Sequence, residues 1–327
     1  MSTTPELRDG PPWAMEEMIL AEPGLVGALL ENPATAAAAE ALRGAEPLIT
    51  TGCGTSEHAA MAGAALLPGA RSRDAFEAWL DPQQGGALVA VSHSGETRQT
   101  LAALAAARDA RTVLITNSET ATADVVVRTP LEDASWCHTV GYLSPLLSFV
   151  AIAGHLGGQV PDVAGIVDAV LARRADFTAL AQTVVGCERL LAVASGLDEI
   201  AARELSLKVE EGVHLPTTPL GLEKVLHGHL PAADSRTGVV LLRIDQRAGE
   251  QRDARAVDCE RAVAELGMPV ARIDGLPGGD TPAGTLVAGA LAAQLFTLEL
   301  VLAAGTNPDL IRREEEPYRL AAAAAKE

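Results

Sequence analysis

Two short stretches of small hydroxyl residues around glycine could together hold an anion. The first, Ser92–Thr97 with the sequence SHSGET, follows the apolar run Ala87–Val91 and precedes an alanine-rich segment typical of a helix. A turn between a buried strand and a helix directs backbone N–H groups and the positive end of the helix dipole into the loop. Its hydroxyl groups add hydrogen-bond donors that suit a phosphate monoester. The same residue types are common in helix N-caps, so this stretch alone leaves both interpretations open.

The second stretch favours the phosphate site. Residues Ile49–His58, with the sequence ITTGCGTSEH, again combine a strand, a glycine turn and hydroxyl residues before a helix-forming segment. Loops that follow neighbouring parallel strands open at the same edge of the sheet. The two stretches can therefore converge on one ligand.

Groups that could move protons lie in the second half of the chain. The segment Glu204–Glu211 ends in two adjacent glutamates, and His227 and His229 follow it. Glu204 and Lys208 are four residues apart, so they would share one face of a helix and could pair. Without further information, these glutamates are more simply a solvated helix end and the histidines structural.

The chain around these residues alternates between apolar strands and helices. Strands are predicted near residues 47–51, 87–91, 112–116, 124–127, 190–194, 238–243 and 270–273. Helical segments between them predict an α/β fold of two tandem domains, each a parallel sheet flanked by helices in three flavodoxin-like layers. The expected divisions are a tail and helix over 1–34, a first domain over 35–160 and a second over 161–327.

Composition and charge restrict the classes of partner. The chain of 327 residues has a net charge of −18, which disfavours nucleic acid and anionic membranes. Its 4 cysteines show neither CxxC nor metal-ligand spacing, so we expect a reducing cytoplasm, no metal and no cofactor. We expect no signal peptide and no apolar run long enough to cross a membrane.

Together, these motifs resemble the sugar isomerase (SIS) domain family, and most closely the isomerase half of glucosamine-6-phosphate synthase. The loops match the family patterns C-G-T-S and S-x-S-G-E-T. The segment E-x-x-L-K-x-x-E is followed 16 positions after its last glutamate by H-G, as in the family. The resemblance implies that substrate and phosphate are held by Cys53, Gly54, Thr55, Ser56, Ser92, His93, Ser94, Thr97 and Ser144.

The resemblance also implies catalytic roles. It assigns Glu211 as the shuttle of a proton between C1 and C2, and His227 as the ring-opening group. His229 stands where the family has proline and is a second candidate for the role of His227. Tyr142 and Leu143 are bulkier than their family counterparts, so we expect them to reshape the sugar end of the pocket.

Both ends of the chain depart from the family. The sequence passes from Met1 almost directly into the isomerase part, so we expect no glutaminase domain and no use of glutamine as an ammonia source. The family's C-terminal tail carries a lysine that can form a Schiff base, and here that position is Glu316. We therefore expect no covalent imine with the sugar. An adduct would have to form on another lysine, such as Lys224 or Lys326.

The implied function is a phosphosugar isomerase or an amino-sugar-phosphate deaminase/isomerase acting on a hexose 6-phosphate, of the fructose 6-phosphate or glucosamine 6-phosphate type. The alternative is a non-catalytic sensor that keeps the phosphate loops and has lost turnover. The implied partners are a sugar phosphate and a second copy of the chain in a homodimer. The second domain has Ala194–Leu197 in place of the C-G-T-S loop, so we expect one phosphate site per chain.

Overall fold

A computed structural model describes residues 4–325, which contain two parallel β-sheets flanked by helices. The first sheet has the order β2-β1-β3-β4-β5, with strands β1 to β5 at Leu48–Gly52, Ala70–Asp74, Ala87–Val91, Arg111–Thr116 and Val125–Arg128. The second has the order β7-β6-β8-β9, with β6 to β9 at Arg189–Ala194, Thr217–Gly221, Thr237–Arg243 and Val270–Asp274. The predicted α/β fold is confirmed, and the first sheet has the flavodoxin-like strand order.

Helices cover both sheets and connect their strands. In chain order, α1 to α14 are Ala14–Ala21, Val26–Leu30, Pro33–Leu42, Thr55–Leu66, Ala75–Leu80, Arg98–Ala106, Val140–His155, Val163–Leu171, Arg174–Val184, Asp198–Gly212, Leu222–Lys224, Gly249–Glu265, Pro282–Ala304 and Glu316–Ala325. A π-helical turn follows α11 at Val225–His229, and short 3-10 turns lie at Glu22–Leu25 and Leu230–Ala232.

Two strands that the sequence analysis did not predict, β2 and β7, form edges of the two sheets. An edge strand pairs on one side only and is partly solvated, so it needs no continuous apolar run. The sequence of β2 is ARSRD, and β7 contains Pro219, which an edge tolerates. The inner strand β3, ALVAV, is buried at every position and was predicted correctly.

The longest helix, α13, runs through the core and packs against α8, α9 and α10. It has a mean hydropathy of 1.9 over its most apolar window, so it is long and apolar enough to cross a membrane, and the expectation that no such run exists was wrong. Of the residues in that window, 89% are buried inside the fold. Burial on all sides explains an apolar helix without any membrane.

The strand orders place the crevice of the first sheet between β1 and β3, where the connections leave in opposite directions. The loops after these strands are the two hydroxyl-rich stretches. Helix α10 belongs to the second half of the chain and packs against α4, which follows the loop after β1. The fold therefore brings Glu204–Glu211 to the edge of the first sheet.

Candidate active site

A cavity of about 370 Å³ opens at this edge, a volume typical of small-molecule sites. Both hydroxyl-rich loops contribute to its wall, together with the connection between β5 and α7, the end of α10 and the C-terminal tail. The residues that line it are Cys53, Gly54, Thr55, Ser56, His93, Ser94, Thr97, Trp136, His138, Glu211, Ile311 and Arg313.

Both loops have features that suit the binding of an anion at the start of a helix. Gly54 precedes α4 with a φ of 56°, in the left-handed region that favours glycine. Thr97 is the N-cap residue of α6, yet its side chain makes no capping hydrogen bond. Instead, its hydroxyl accepts a hydrogen bond from Ser92 Oγ at 3.1 Å. The simple N-cap interpretation requires a bond that the structure does not show, which favours a ligand-binding loop.

Three residues assigned to the site lie away from the cavity wall. Ser92 is fully buried behind Thr97, and Ser144 is 1% exposed in the first turns of α7. His227 lies on the π-helical turn with a side chain that is 74% exposed, 2.9 Å from Glu223. Neither His227 nor its neighbour His229 lines this cavity within one chain. Within one chain, the structure therefore does not bring His227 to the cavity, and its assigned role stays a prediction.

Next to the start of α7, the cavity is lined by residues other than those we expected. Tyr142 and Leu143 are each 1% exposed and pack into the core, because α7 begins at Val140 and buries its first turn. Trp136 and His138, in the connection before α7, take their place in the wall. The expectation that Tyr142 and Leu143 reshape the pocket was therefore wrong.

His93 joins the loop after β3 to this connection. Its Nε2 accepts the backbone N–H of Asp133 at 2.9 Å. Burial, with a smaller contribution from His138, lowers the pKa of His93 to about 4. The ring is neutral at pH 7 and offers no positive charge to a phosphate, so its side chain acts as a structural link.

A buried polar cluster connects α10 to the loop after β1. Lys208 Nζ lies 2.6 Å from Glu204 Oε1, and both side chains are fully buried. Glu204 also contacts His58 Nδ1 at 2.6 Å and accepts a hydrogen bond from Thr55 Oγ1 at 3.2 Å. The same Lys208 ammonium donates to the carbonyl of His138. The cluster thus fixes the loop after β1 and the connection before α7 to one helix.

Glu204 and Lys208 carry opposite charges that stabilise each other inside the protein. Burial by itself would raise the pKa of Glu204, but the Lys208 ammonium and His58 outweigh it and lower that pKa to about 2. Lys208 has a raised pKa, because Glu204 outweighs the effect of burial. Both groups are charged at neutral pH, so the ammonium of Lys208 is not a nucleophile.

Glu211 lies one turn further along α10 and faces the cavity. Its Oε2 is inaccessible to solvent and has no hydrogen-bond partner among residues 4–325. Burial raises the pKa of Glu211 to about 8, although Lys208 opposes the shift. A carboxyl with a pKa near neutrality and a free oxygen can both accept and return a proton.

Four residues of the wall had no signal in the sequence analysis. Trp136, His138, Ile311 and Arg313 belong to none of the motifs described above. Trp136 N–H donates to the carbonyl of Asp309 at 3.0 Å, which joins the C-terminal tail to the connection before α7. These two residues lie far apart in the sequence, and no local pattern predicts their contact.

The corresponding crevice of the second sheet holds an ion pair of the protein itself. Asp245 pairs with Arg247 and Arg252, each at 2.8 Å. The guanidinium of Arg252 lies 2.5 Å from the place where a Cβ on Gly196 would stand. Both arginines are thus paired within the protein, and one phosphate site per chain stays a prediction.

No family model and no curated protein sequence matches this chain. Among solved structures, it is similar to the C-terminal domain of glucosamine-fructose-6-phosphate aminotransferase from Francisella tularensis, with a TM-score of 0.78 at 18% identity, over 93% of this chain and 99% of that chain. It is also similar to tagatose-6-phosphate ketose/aldose isomerase from Escherichia coli, with a TM-score of 0.73 at 19% identity, over 95% and 98%.

A third similar structure is glucosamine-6-phosphate deaminase from Thermotoga maritima, with a TM-score of 0.68 at 17% identity, over 90% of this chain and 96% of that chain. At these identities the similarity concerns the fold. The chain has the two-sheet fold of the sugar isomerase proteins, which confirms the resemblance at that level.

Proposed function

We propose that the protein interconverts an aldose 6-phosphate and the corresponding ketose 6-phosphate. The observation that carries the proposal is Glu211, which lines one cavity together with residues of both hydroxyl-rich loops and whose Oε2 has no hydrogen-bond partner among residues 4–325. The fold is compatible, since two similar structures are named as an isomerase and a deaminase of phosphorylated sugars.

In the proposed reaction, Glu211 acts on the open-chain sugar while the loops hold the phosphate. The carboxylate takes the proton from C2, the C–H electron pair forms the C1=C2 double bond, and the carbonyl pair moves onto O1. The proton on O2 then passes to O1. Glu211 returns its proton to C1, and the carbonyl is left at C2. Each step keeps atoms and charge balanced with the carboxyl as the only exchanging group.

The test is a panel of hexose and aminohexose 6-phosphates, assayed for ketose and for ammonia. We expect ketose from at least one hexose 6-phosphate with the wild-type protein and none with Glu211→Gln. Binding of the panel without turnover by either protein would contradict the proposal and favour the sensor considered above.

The structure predicts that the reaction forms no imine. Among the described residues that line the cavity there is no lysine. Glu316 begins the exposed helix α14, Lys224 lies in α11, and Lys326 is outside the described residues. After borohydride treatment with fructose 6-phosphate, intact mass should show no sugar adduct. A stoichiometric adduct would contradict this prediction, and peptide mapping would identify the lysine.

Ring opening is proposed to use His227 from a second copy of the chain in a homodimer. The exposed position of His227 leaves it available to a partner, whereas the cavity of its own chain contains His138 instead. Burial lowers the pKa of His138, so this ring is neutral at pH 7 and is the alternative proton carrier.

Mixed dimers distinguish the two histidines. Glu211→Gln and His227→Ala should each be inactive on a closed-ring substrate. Refolding the two variants together should restore activity, since one of the two cavities then holds intact Glu211 and His227. Unaltered activity of His227→Ala, with a selective closed-ring defect in His138→Gln, would instead assign ring opening to the alternative. The cytoplasm is the proposed location, and no disulfide joins the four cysteines among residues 4–325, as expected there.

A further inference from the structure

The C-terminal tail brings a permanent positive charge to the sugar end of the cavity. Arg313 lines the cavity with Glu211, Trp136 and His138. Its guanidinium carbon lies 5.2 Å from the centroid of the Trp136 ring, a cation–π arrangement that orients the planar group. Within the described cavity wall it is the one arginine, and no lysine accompanies it.

The backbone that carries Arg313 is held in an unfavourable conformation. Ile311 and Arg312 have φ values of 44° and 64°, in the left-handed region that side chains rarely adopt and that is especially costly for a β-branched residue. Such conformations persist where surrounding contacts enforce them, and they concentrate at functional sites. The turn places Ile311 and Arg313 in the cavity wall and points to a function for it.

The contacts that enforce this turn converge on Asp309, which is fully buried. Its carboxylate accepts the backbone N–H groups of Ala14 and Met15 at 2.8 and 2.9 Å, at the start of α1. Its backbone carbonyl accepts a hydrogen bond from the backbone N–H of Trp136 at 3.0 Å. The backbone N–H of Arg313 donates to the carbonyl of Leu310 at 2.8 Å and closes the turn. The position of Arg313 is thereby fixed from both ends of the chain.

We infer that Arg313 binds the oxygen anion that develops at C1 and C2 of the sugar. The inference rests on the proposed function, because proton transfer by Glu211 places a negative charge on O1. A guanidinium holds planar oxygen anions with paired, charge-assisted hydrogen bonds and stays protonated throughout. It cannot form an imine, so the site is suited to enediolate chemistry and to ligands with a carboxylate at this end.

The charge near Glu211 agrees with this role. At neutral pH the carboxyl of Glu211 is mostly protonated, since burial raises its pKa to about 8, with Arg313 acting in the opposite direction. The cavity therefore presents a cation and a neutral acid to the sugar end. A planar carboxylate in that position meets attraction rather than repulsion.

Calorimetry with two five-carbon probes tests the inference. Arabinonate 5-phosphate carries a planar carboxylate in place of the enediolate, and arabinitol 5-phosphate has the same phosphate but a neutral hydroxymethyl group in place of the carboxylate. The wild-type protein should bind the acid at least about tenfold more tightly, the ratio that one additional charge-assisted hydrogen bond provides. Arg313→Gln should reduce this ratio to about one, and Arg313→Lys should keep part of it.

Arg312→Gln is the matched control, because Arg312 stacks on Tyr318 at 3.9 Å, bonds to Glu315 and does not line the cavity. It should keep the wild-type ratio. An equal loss in Arg312→Gln would mean that displacement of the tail is responsible, and the inference would fall. It would also fall if Arg313→Gln weakened inorganic phosphate and arabinitol 5-phosphate as strongly as the acid, since Arg313 would then bind the phosphate.

The outcome separates this inference from the proposed function. If the wild-type ratio is lost in Arg313→Gln but no hexose phosphate is turned over, the anion site stands and the isomerase proposal fails. If turnover is observed and Arg313→Gln keeps both turnover and the ratio, the proposed function stands and the role of Arg313 is overturned.

Discussion

Glu211→Gln should abolish most turnover while leaving the affinity for a sugar phosphate nearly unchanged. A group that moves a proton in the transition state typically contributes about 10²–10⁴-fold to the rate. The phosphate loops are separate residues, so a ligand that lacks a reacting carbonyl should bind the variant as it binds the wild type. Initial rates with the active hexose phosphate, and calorimetry with its alditol 6-phosphate, measure the two effects independently.

Glutamine keeps the size of the side chain and removes its charge, so the same variant also reports on burial. Because burial raises the pKa of Glu211 to about 8, the folded protein holds this proton over a pH range in which the unfolded chain has lost it. Stability contributed by the group therefore falls as pH rises from the ordinary glutamate pKa towards 8. Relative to the wild type, Glu211→Gln should gain thermal stability at pH 9 and not at pH 4. Equal melting temperatures at both pH values would contradict the raised pKa.

The largest effect on stability is expected from Glu204→Gln. This change leaves the fully buried ammonium of Lys208 without its partner at 2.6 Å. Breaking a buried ion pair on one side costs about 3–5 kcal/mol. For a chain of 327 residues, that cost corresponds to a melting temperature lower by roughly 4–7 °C. Differential scanning calorimetry at pH 7 measures it directly.

Two variants act as controls for this prediction. Glu204→Gln combined with Lys208→Met removes both charges and should recover most of the lost stability. Glu40→Gln breaks a pair with Arg43 at 3.2 Å on the exposed surface and should cost at most about 1 kcal/mol. If Glu204→Gln were no more harmful than Glu40→Gln, the buried pair would not support the fold.

Lowering the pH should destabilise the wild-type protein through the same ion pair. The pKa of Glu204 is lowered to about 2, so its contribution is complete above the ordinary glutamate pKa and is lost as pH falls towards 2. The combined variant without either charge should therefore lose less stability than the wild type between pH 5 and pH 2.

The inner strands and both hydroxyl-rich loops could be predicted because each has a local cause. β3 is buried on both faces and reads as a continuous apolar run, and the glycine-containing loops follow their strands directly. The edge strand β2 lacked this signal, since its residues pair on one side only. The apolar runs of the sequence thus predicted the inner strands and the edge strands β5 and β9, but not the edge strands β2 and β7.

Long-range geometry accounts for what the sequence analysis missed at the site. Spacing along the chain related His227 to Glu211, but the π-helical turn holds His227 at the surface of its own chain. In the tail, the family pattern drew attention only to Glu316, where the lysine is missing. No motif indicated Arg313, three residues earlier. Only the enforced turn at Ile311 and Arg312 shows which residue reaches the cavity.

Proton NMR of the reaction in D₂O tests the central claim, that Glu211 carries a proton between C1 and C2, most directly. Protons of a carboxyl exchange with solvent, so the wild-type protein should form ketose 6-phosphate with deuterium at C1 and, on reversal, aldose 6-phosphate with deuterium at C2. Glu211→Gln should incorporate deuterium at neither carbon at a rate above the background. Ketose formed by Glu211→Gln at the wild-type rate, or unchanged incorporation of deuterium by this variant, would contradict the account, because another group would then carry the proton.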